Sequence, residues 1–182
     1  MKKKIYIGLA VLLAIIVGFF LYGALVVSKR SPKETVTFSD NGLDIKVEYC
    51  RPFKKGRLIF GEEKDHALQP YGKYWRLGAN AATEITFNKN VNFAGHPISA
   101  GSYRMYAVPG PDSFQVSLNS ETGVYFAVRE PDYSKDVMKA VLPVQSAPET
   151  EQFTISFSKD STNVNMDLAW DKTLVRVPIT AQ

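Results

Sequence analysis

The chain has 182 residues, of which 45% are hydrophobic and 22% are charged, a length and composition that suit one domain with a substantial core. Its net charge of +4 comes from the N-terminus: residues 1–30 hold five Lys and Arg and no Asp or Glu, which leaves 17 basic and 18 acidic residues beyond them. This near-neutral remainder argues against a nucleic-acid-binding domain, and the single cysteine excludes an intrachain disulfide.

The N-terminal segment is long and apolar. No charged residue occurs between positions 5 and 27, and a helix of that length would span about 34 Å, enough to cross a hydrocarbon core of about 30 Å. The segment 5–27 is therefore predicted to be a transmembrane anchor, with a basic cytoplasmic tail at 1–4 and a linker at 28–34. The domain at 35–182 is predicted to lie outside the cytoplasm, because long domains are translocated largely regardless of their charge.

A cleaved signal peptide, followed by secretion, is the alternative, because three lysines precede the apolar run. However, the run exceeds the usual signal-peptide core of about 7–15 residues, and the residues before Ser28 lack the small-residue pattern that a signal peptidase accepts. We therefore predict an uncleaved, single-pass anchor with its N-terminus in the cytoplasm.

The rest of the chain alternates between apolar and polar residues with the period of a β-strand, as in Leu43, Ile45 and Val47. About ten short strands at spacings of roughly 8–12 residues, without a strong helical pattern, predict an all-β fold, specifically an antiparallel, jelly-roll-like β-sandwich. Residues 135–144 fit either a short helix or a strand, and the strand is favoured because Pro143 lies so near the end. Segments with a strand-like pattern lie at 35–38, 43–49, 57–60, 82–87, 91–93, 101–109, 114–118, 123–128, 135–144, 153–157, 164–170 and 174–179, with an exposed connection at 148–151 and a turn at 171–172.

The usual signatures of catalytic sites and metal sites are missing from the sequence. No nucleophile elbow, phosphate loop or dinucleotide fingerprint occurs. His66 and His96 have no carboxylate at ligand spacing beside them, and Cys50 is interpreted as a small hydrophobic residue on a strand. We predict no metal site, no cofactor and no assignable catalytic residue.

One stretch, residues 49–87, is unusually dense in arginine, aromatic residues, glycine and proline. Guanidinium groups bind carboxylate or phosphate through two parallel hydrogen bonds, and aromatic rings beside them stack on planar ligands or sugars. This composition predicts a ligand-binding site. The candidate residues are Arg51, Lys55, Arg57, Tyr71, Trp75, Arg76, Asn80 and Glu84.

A structural role for the same residues is the alternative. In that interpretation Arg76 pairs with Glu84, Arg51 or Arg57 caps backbone carbonyl groups, and Trp75 seals one end of the β-sandwich. Buried charges persist only when they are paired and hydrogen-bonded, so a cluster of this kind can serve the fold alone.

Three motifs carry a resemblance to a known family. They are Tyr-x-Arg-Pro-x-x-Lys-Gly-Arg-x-Ile-Phe-Gly, Pro-Tyr-Gly-x-x-Trp-Arg-x-Gly-Ala-Asn-x-Ala-Thr-Glu-Ile, and Ala-Gly-x-Tyr followed by Pro-Gly. In these motifs, and over roughly residues 38–179, the chain resembles the bacterial family called domain of unknown function 2911. The resemblance implies a secreted or envelope-associated β protein and carries no assigned reaction.

Two functions from different classes follow. The first is a non-enzymatic module of the bacterial cell envelope, on the periplasmic side, that binds a ligand or a protein partner through the Arg51–Glu84 surface. The second is an envelope hydrolase that acts on a glycan or an ester, with Glu84 as the acid or base. The sequence favours the first, because nothing in it identifies a catalytic partner for Glu84.

Overall fold

The structure is a computed structural model that describes residues 2–23, 30–125, 127, 129–161 and 163–182. Within these residues the chain forms one α-helix, eleven strands and two short 3₁₀ turns, at Glu63–Asp65 and Tyr133–Lys135. The longer elements are α1 (Lys2–Tyr22), β1 (Lys33–Asp40), β2 (Leu43–Cys50), β3 (Phe60–Gly61), β4 (Gln69–Pro70), β5 (Thr83–Phe87), β6 (Val91–Phe93), β7 (His96–Ile98), β8 (Gly101–Pro109), β9 (Ser113–Asn119), β10 (Asp136–Lys159) and β11 (Val164–Ala181).

Nine of these strands form one sheet in the order β1-β2-β5-β8-β9-β10-β11-β6-β7, and β3 and β4 pair separately. Every ladder of the large sheet is antiparallel, whereas β3 and β4 run parallel. The prediction of an antiparallel all-β domain is confirmed. The pairing joins the strands in one continuous sheet instead of the two separate sheets of a jelly roll.

The hairpin of β1 and β2 forms as its sequence predicts. Asn41 and Gly42 take positive φ angles of 49° and 74° in the turn, the conformation that a tight hairpin requires. The side chains of Leu43, Ile45 and Val47 are buried, while the polar residues between them face outward. The alternation thus places one face of β2 against the core.

The two longest strands correct the predicted breaks. β10 continues through residues 148–151 and β11 continues through residues 171–172, so neither segment is a connection. The register shifts on both sides of the Thr150–Asp171 pair, and Asp171 has a positive φ of 55°. Such bulges bend a strand pair without ending it, which is why turn-forming residues occur inside continuous strands here.

Two other predicted strands are wrong or shortened. Residues 123–125 and 127 belong to no strand, while Phe126 and Val128 lie outside the described residues. This segment makes isolated backbone bonds, such as that from the Ala82 amide to the Val124 carbonyl at 3.0 Å, in place of a ladder. Of the strand predicted at 57–60, only Phe60 lies in an observed strand, β3.

The sheet curls so that distant strands face each other across the core. The ring of Phe38 on β1 lies 5.8 Å from that of Phe157 on β10, and the hydroxyl of Tyr49 accepts a 2.9 Å hydrogen bond from the Ile155 amide. Trp75 and Trp170 occupy the centre of this core, and each is almost entirely buried.

The N-terminal helix carries apolar side chains that are exposed to solvent, among them Phe19 and Phe20 at 77% and 72%. In the part of the chain that the structure describes, no helix meets the combined length and apolarity needed to cross a membrane. The predicted anchor at 5–27 is therefore not confirmed, and residues 24–27 of it lie outside the described residues. The first two positions of the predicted linker, 28 and 29, lie outside them as well.

Candidate functional site

A cavity of about 830 Å³ opens beside the turn at residues 53–57 and the loop at residues 74–80, with Trp170 contributing from β11. Five of the eight predicted site residues line it. They are Lys55, Arg57, Trp75, Arg76 and Asn80. The other three, Arg51, Tyr71 and Glu84, lie elsewhere.

Four cationic side chains line this cavity, and the residues around it do not neutralise them. They belong to Arg30, Lys55, Arg57 and Arg76, and among the described residues of the lining none is Asp or Glu. None of the four takes part in the ion pairs that the described residues form. Within the part of the chain that the structure describes, the cavity therefore concentrates positive charge that no ion pair offsets.

Backbone carbonyl groups orient two of these cations. Arg57 donates from Nε to the Lys54 carbonyl at 2.9 Å and from Nη2 to the Phe53 carbonyl, while Arg76 donates from Nη1 to the Asn80 carbonyl at 3.3 Å. Carbonyl groups hold a guanidinium in place but carry no charge. The capping role predicted for Arg57 is thus present, and it leaves the full positive charge of the side chain in the cavity.

Three carboxylates at the turn of residues 53–57 bind groups other than the cationic side chains of the cavity. Lys54 Nζ lies 2.5 Å from Glu149 and 2.7 Å from Asp171, and the hydrogen bonds that this lysine donates to Asp171 and then to Glu149 raise its pKa. Glu151 accepts a 2.8 Å hydrogen bond from the backbone amide of Lys55. In the described part of the chain, none of these three carboxylates therefore forms an ion pair with a cationic side chain of the cavity lining.

The loop at residues 77–80 shapes one wall through unusual backbone angles. Leu77 and Asn80 have φ angles of 53° and 58°, and Gly78 has a φ of 149°. A Cβ at Gly78 would lie 2.6 Å from the Cys50 carbonyl oxygen, so the close approach of the two segments requires glycine. Thr83 fixes the loop from β5 by donating to the Leu77 carbonyl at 2.6 Å.

Trp75 forms the base of the cavity as part of the core. It is 3% exposed and lies 5.8 Å from Trp170 in a stacked arrangement and 5.0 Å from Phe153. Its ring is therefore covered by protein, in line with the structural alternative, and the half-buried rings of Phe53 and Tyr74 supply the accessible aromatic lining. In the described part of the chain, the buried indole nitrogens of both tryptophans have no hydrogen-bond partner.

Arg51 has a structural role. Its guanidinium donates to the Phe153 carbonyl at 3.2 Å and to Thr154 Oγ1 at 2.8 Å, and it lies 3.4 Å from Glu34. These bonds connect the end of β2 to β1 and β10. Tyr71 is half-buried, and its amide bonds to the Gly61 carbonyl at 2.9 Å, beside the β3–β4 ladder.

Glu84 does not pair with Arg76, which corrects the structural alternative. Its Oε1 accepts a 2.6 Å hydrogen bond from the Gly123 amide, and the ion pairs of the described residues include none between Glu84 and Arg76. The reason is the pleat of β5, which places Glu84 beside Glu48 of β2 and Arg104 of β8.

A second, smaller cavity of about 200 Å³ surrounds Glu84 and also contains Glu48, Lys33 and the edge of Cys50. Hydrogen bonds from Lys33 and then Lys46 lower the pKa of Glu48, so this carboxylate is ionised at neutral pH. His66 and His96 lie elsewhere, and the described residues contain no group of three metal-ligating side chains.

The structure also contains a buried arginine that is not among the predicted site residues. Arg104 of β8 is 1% exposed, and its Nη2 donates to the Tyr74 hydroxyl at 2.6 Å while Nη1 donates to Glu121 at 3.1 Å. The loop that follows β9 covers it. Because Tyr74 lines the large cavity, Arg104 fixes one of the accessible aromatic side chains there.

Comparison with known families identifies the chain. The family model described as "Protein of unknown function (DUF2911)" matches residues 31–179, and the protein belongs to this family. The match runs from the start of the β domain into β11, so it includes every residue of the large cavity except Arg30. No curated protein and no solved structure shows significant similarity to the chain.

Proposed function

We propose that this protein is a ligand-binding module of the bacterial cell envelope without catalytic activity, and that the large cavity is its binding site. The observation that supports this function most strongly is the convergence, in one concave surface, of four cations that form no ion pair with the described residues. Like charges held together repel one another, so a fold that gathers them without counter-charges gains stability when a ligand supplies those charges. The volume is within the range of about 300–1,000 Å³ typical of small-molecule sites.

The envelope location rests on the N-terminal segment. We propose that residues 5–27 anchor the chain in the membrane, with the tail at 1–4 in the cytoplasm and the domain on the periplasmic side. Exposed apolar side chains around α1 support this, because a helix that is apolar on all sides is unfavourable in water. Secretion after cleavage at this segment is the alternative.

A C-terminal topology reporter tests the location. Alkaline phosphatase fused after Gln182 is expected to be active in intact cells, because that enzyme requires the oxidising periplasm to form its disulfides. Activity of a cytoplasmic reporter at the same position, with an inactive phosphatase fusion, would contradict the proposed orientation. Release of the phosphatase into the medium would favour the secreted form.

A specific observation favours a second candidate function, an envelope hydrolase acting on a glycan or ester. Glu48 and Glu84 are direct partners in the β2–β5 ladder and share the smaller cavity. Since Glu48 is held ionised, it would act as the base or nucleophile beside Glu84. This pair supplies the partner for Glu84 that the sequence did not identify.

A retention assay on the full-length chain, purified in detergent, separates the two functions. Against a panel of neutral and charged envelope glycan and ester fragments, we expect at least one fragment to be retained unchanged. Arg76→Ala is expected to weaken retention about tenfold or more while the far-UV circular dichroism spectrum is preserved, because Arg76 lies in the lining and outside the core.

Lys64→Ala is the matched control, since Lys64 is an exposed cation outside the cavity. Retention equal in wild type and Arg76→Ala would contradict the proposed site. Conversion of a fragment that Glu84→Gln abolishes would establish the hydrolase instead.

A further inference from the structure

We infer that the ligand of the large cavity carries an oxyanion, a carboxylate or a phosphate, which Arg76, Arg57 and Lys55 recognise. This inference rests on the proposed function and specifies the chemical class of its ligand.

The charge distribution is the first argument. The fold surrounds Lys54 with two carboxylates, Glu149 and Asp171, yet gives the adjacent Lys55 none through its side chain. Acidic residues are thus present at this turn, but among the described residues they bind the side chain of Lys54 and the backbone amide of Lys55 and not the cationic side chains of the cavity. The absence of Asp and Glu from the described lining therefore distinguishes this concave surface from the nearly neutral remainder of the domain.

The second argument is the donor geometry. In the described part of the chain the guanidinium of Arg76 makes a single hydrogen bond, from Nη1 to the Asn80 carbonyl. A guanidinium has five N–H donors in a planar fork that matches the two oxygens of a carboxylate or phosphate. The carbonyl of Asn80 thus orients the fork of Arg76 and leaves donors for a ligand, and the carbonyl groups of Phe53 and Lys54 hold Arg57 similarly.

The third argument concerns the rest of the ligand. The half-buried side chains of Phe53 and Tyr74 lie among the cations, and Lys55 Nζ lies 6.0 Å from the centre of the Phe53 ring. Aromatic side chains next to cations favour a ligand that presents the face of a ring beside its anionic group. A sugar acid and a sugar phosphate both have this form, and the cavity has room for either.

Three ligands that share one sugar scaffold test the inference: glucose, glucuronate and glucose 6-phosphate. They are titrated calorimetrically into the full-length chain in detergent at 50 mM and 500 mM sodium chloride. We expect one or both anions to bind at least about tenfold more tightly than glucose, because hydrogen bonds to charged groups are markedly stronger than neutral ones. High salt is expected to remove most of this preference, and the better anion identifies the preferred oxyanion.

Arg76→Gln is expected to bring the affinity for the anions close to that for glucose, whereas Arg176→Gln, at an exposed arginine outside the cavity, is expected to leave it unchanged. Glucose binding as tightly as the anions at both salt concentrations would overturn the oxyanion inference and leave the binding module intact. Failure of both anions to bind saturably would also overturn it, while retention of neutral fragments in the panel would still support the module.

Discussion

Replacement of Trp75 by alanine is expected to lower the free energy of unfolding by about 3–5 kcal/mol, the range found when a buried aromatic side chain is removed. Trp75 is 3% exposed, and its ring packs against Trp170 at 5.8 Å, Phe153 at 5.0 Å and Phe60 at 5.3 Å. The variant loses these contacts and leaves a cavity that the surrounding rings, held in separate strands, cannot fill. Equilibrium urea unfolding followed by circular dichroism measures the effect.

Trp75→Phe is the control for this prediction. Phenylalanine keeps an aromatic ring at the position and removes an indole N–H that has no hydrogen-bond partner among the described residues. Trp75→Phe is therefore expected to lower the free energy of unfolding by about half as much as Trp75→Ala, or less. A decrease of less than about 1.5 kcal/mol in the free energy of unfolding of Trp75→Ala would mean that the ring is not part of the core.

Arg104→Ala is expected to destabilise the domain by about 3–5 kcal/mol, because it removes one member of a buried charged network. The guanidinium bonds to Glu121, the Tyr74 hydroxyl and the Arg129 carbonyl, and the arginine is 1% exposed. Its loss leaves these acceptors without their donor and opens a void beneath the loop that follows β9. The same urea measurement applies.

Arg176→Ala provides a matched comparison on the surface. Arg176 binds Asp167 through two hydrogen bonds of 2.7 Å, but its side chain is 42% exposed. Exposed ion pairs contribute about 0–1 kcal/mol even with good geometry, so this variant should remain close to wild type. Equal effects of the two arginine variants would show that burial of Arg104 does not determine its contribution.

The parts of the fold that depend on local sequence were predictable. Period-two alternation defines the buried face of β2, and the Asn41–Gly42 turn sets its pairing with β1. The continuity of β10 and β11 was not predictable in the same way, because bulges at Thr150 and Asp171 accommodate residues that would otherwise indicate a break. Whether such residues end a strand depends on the partner strand, which lies far away in the sequence.

The candidate site was predicted only in part, because it too depends on contacts between residues that are distant in the sequence. The density of arginine and aromatic residues marks a single stretch of chain, and Lys55, Arg57 and Arg76 of that stretch do converge on one cavity. Arg104 was missed because it lies outside the stretch at residues 49–87, and its burial depends on contacts with the loop that follows β9. Glu48 was missed as the neighbour of Glu84 because only the register of β2 and β5 brings the two together.

Removing the cations of the large cavity together tests most directly whether they bind the ligand. Lys55, Arg57 and Arg76 are replaced by alanine in one variant, and three exposed lysines elsewhere, Lys64, Lys89 and Lys172, are replaced in a charge-matched control. Calorimetric titration with the fragment best retained from the panel is expected to show an affinity at least about a hundredfold weaker for the first variant. The control is expected to stay within about threefold of wild type, as electrostatic effects at a distance are screened. Equal losses in both variants, or an unchanged affinity in the cavity variant, would contradict the assignment of the site.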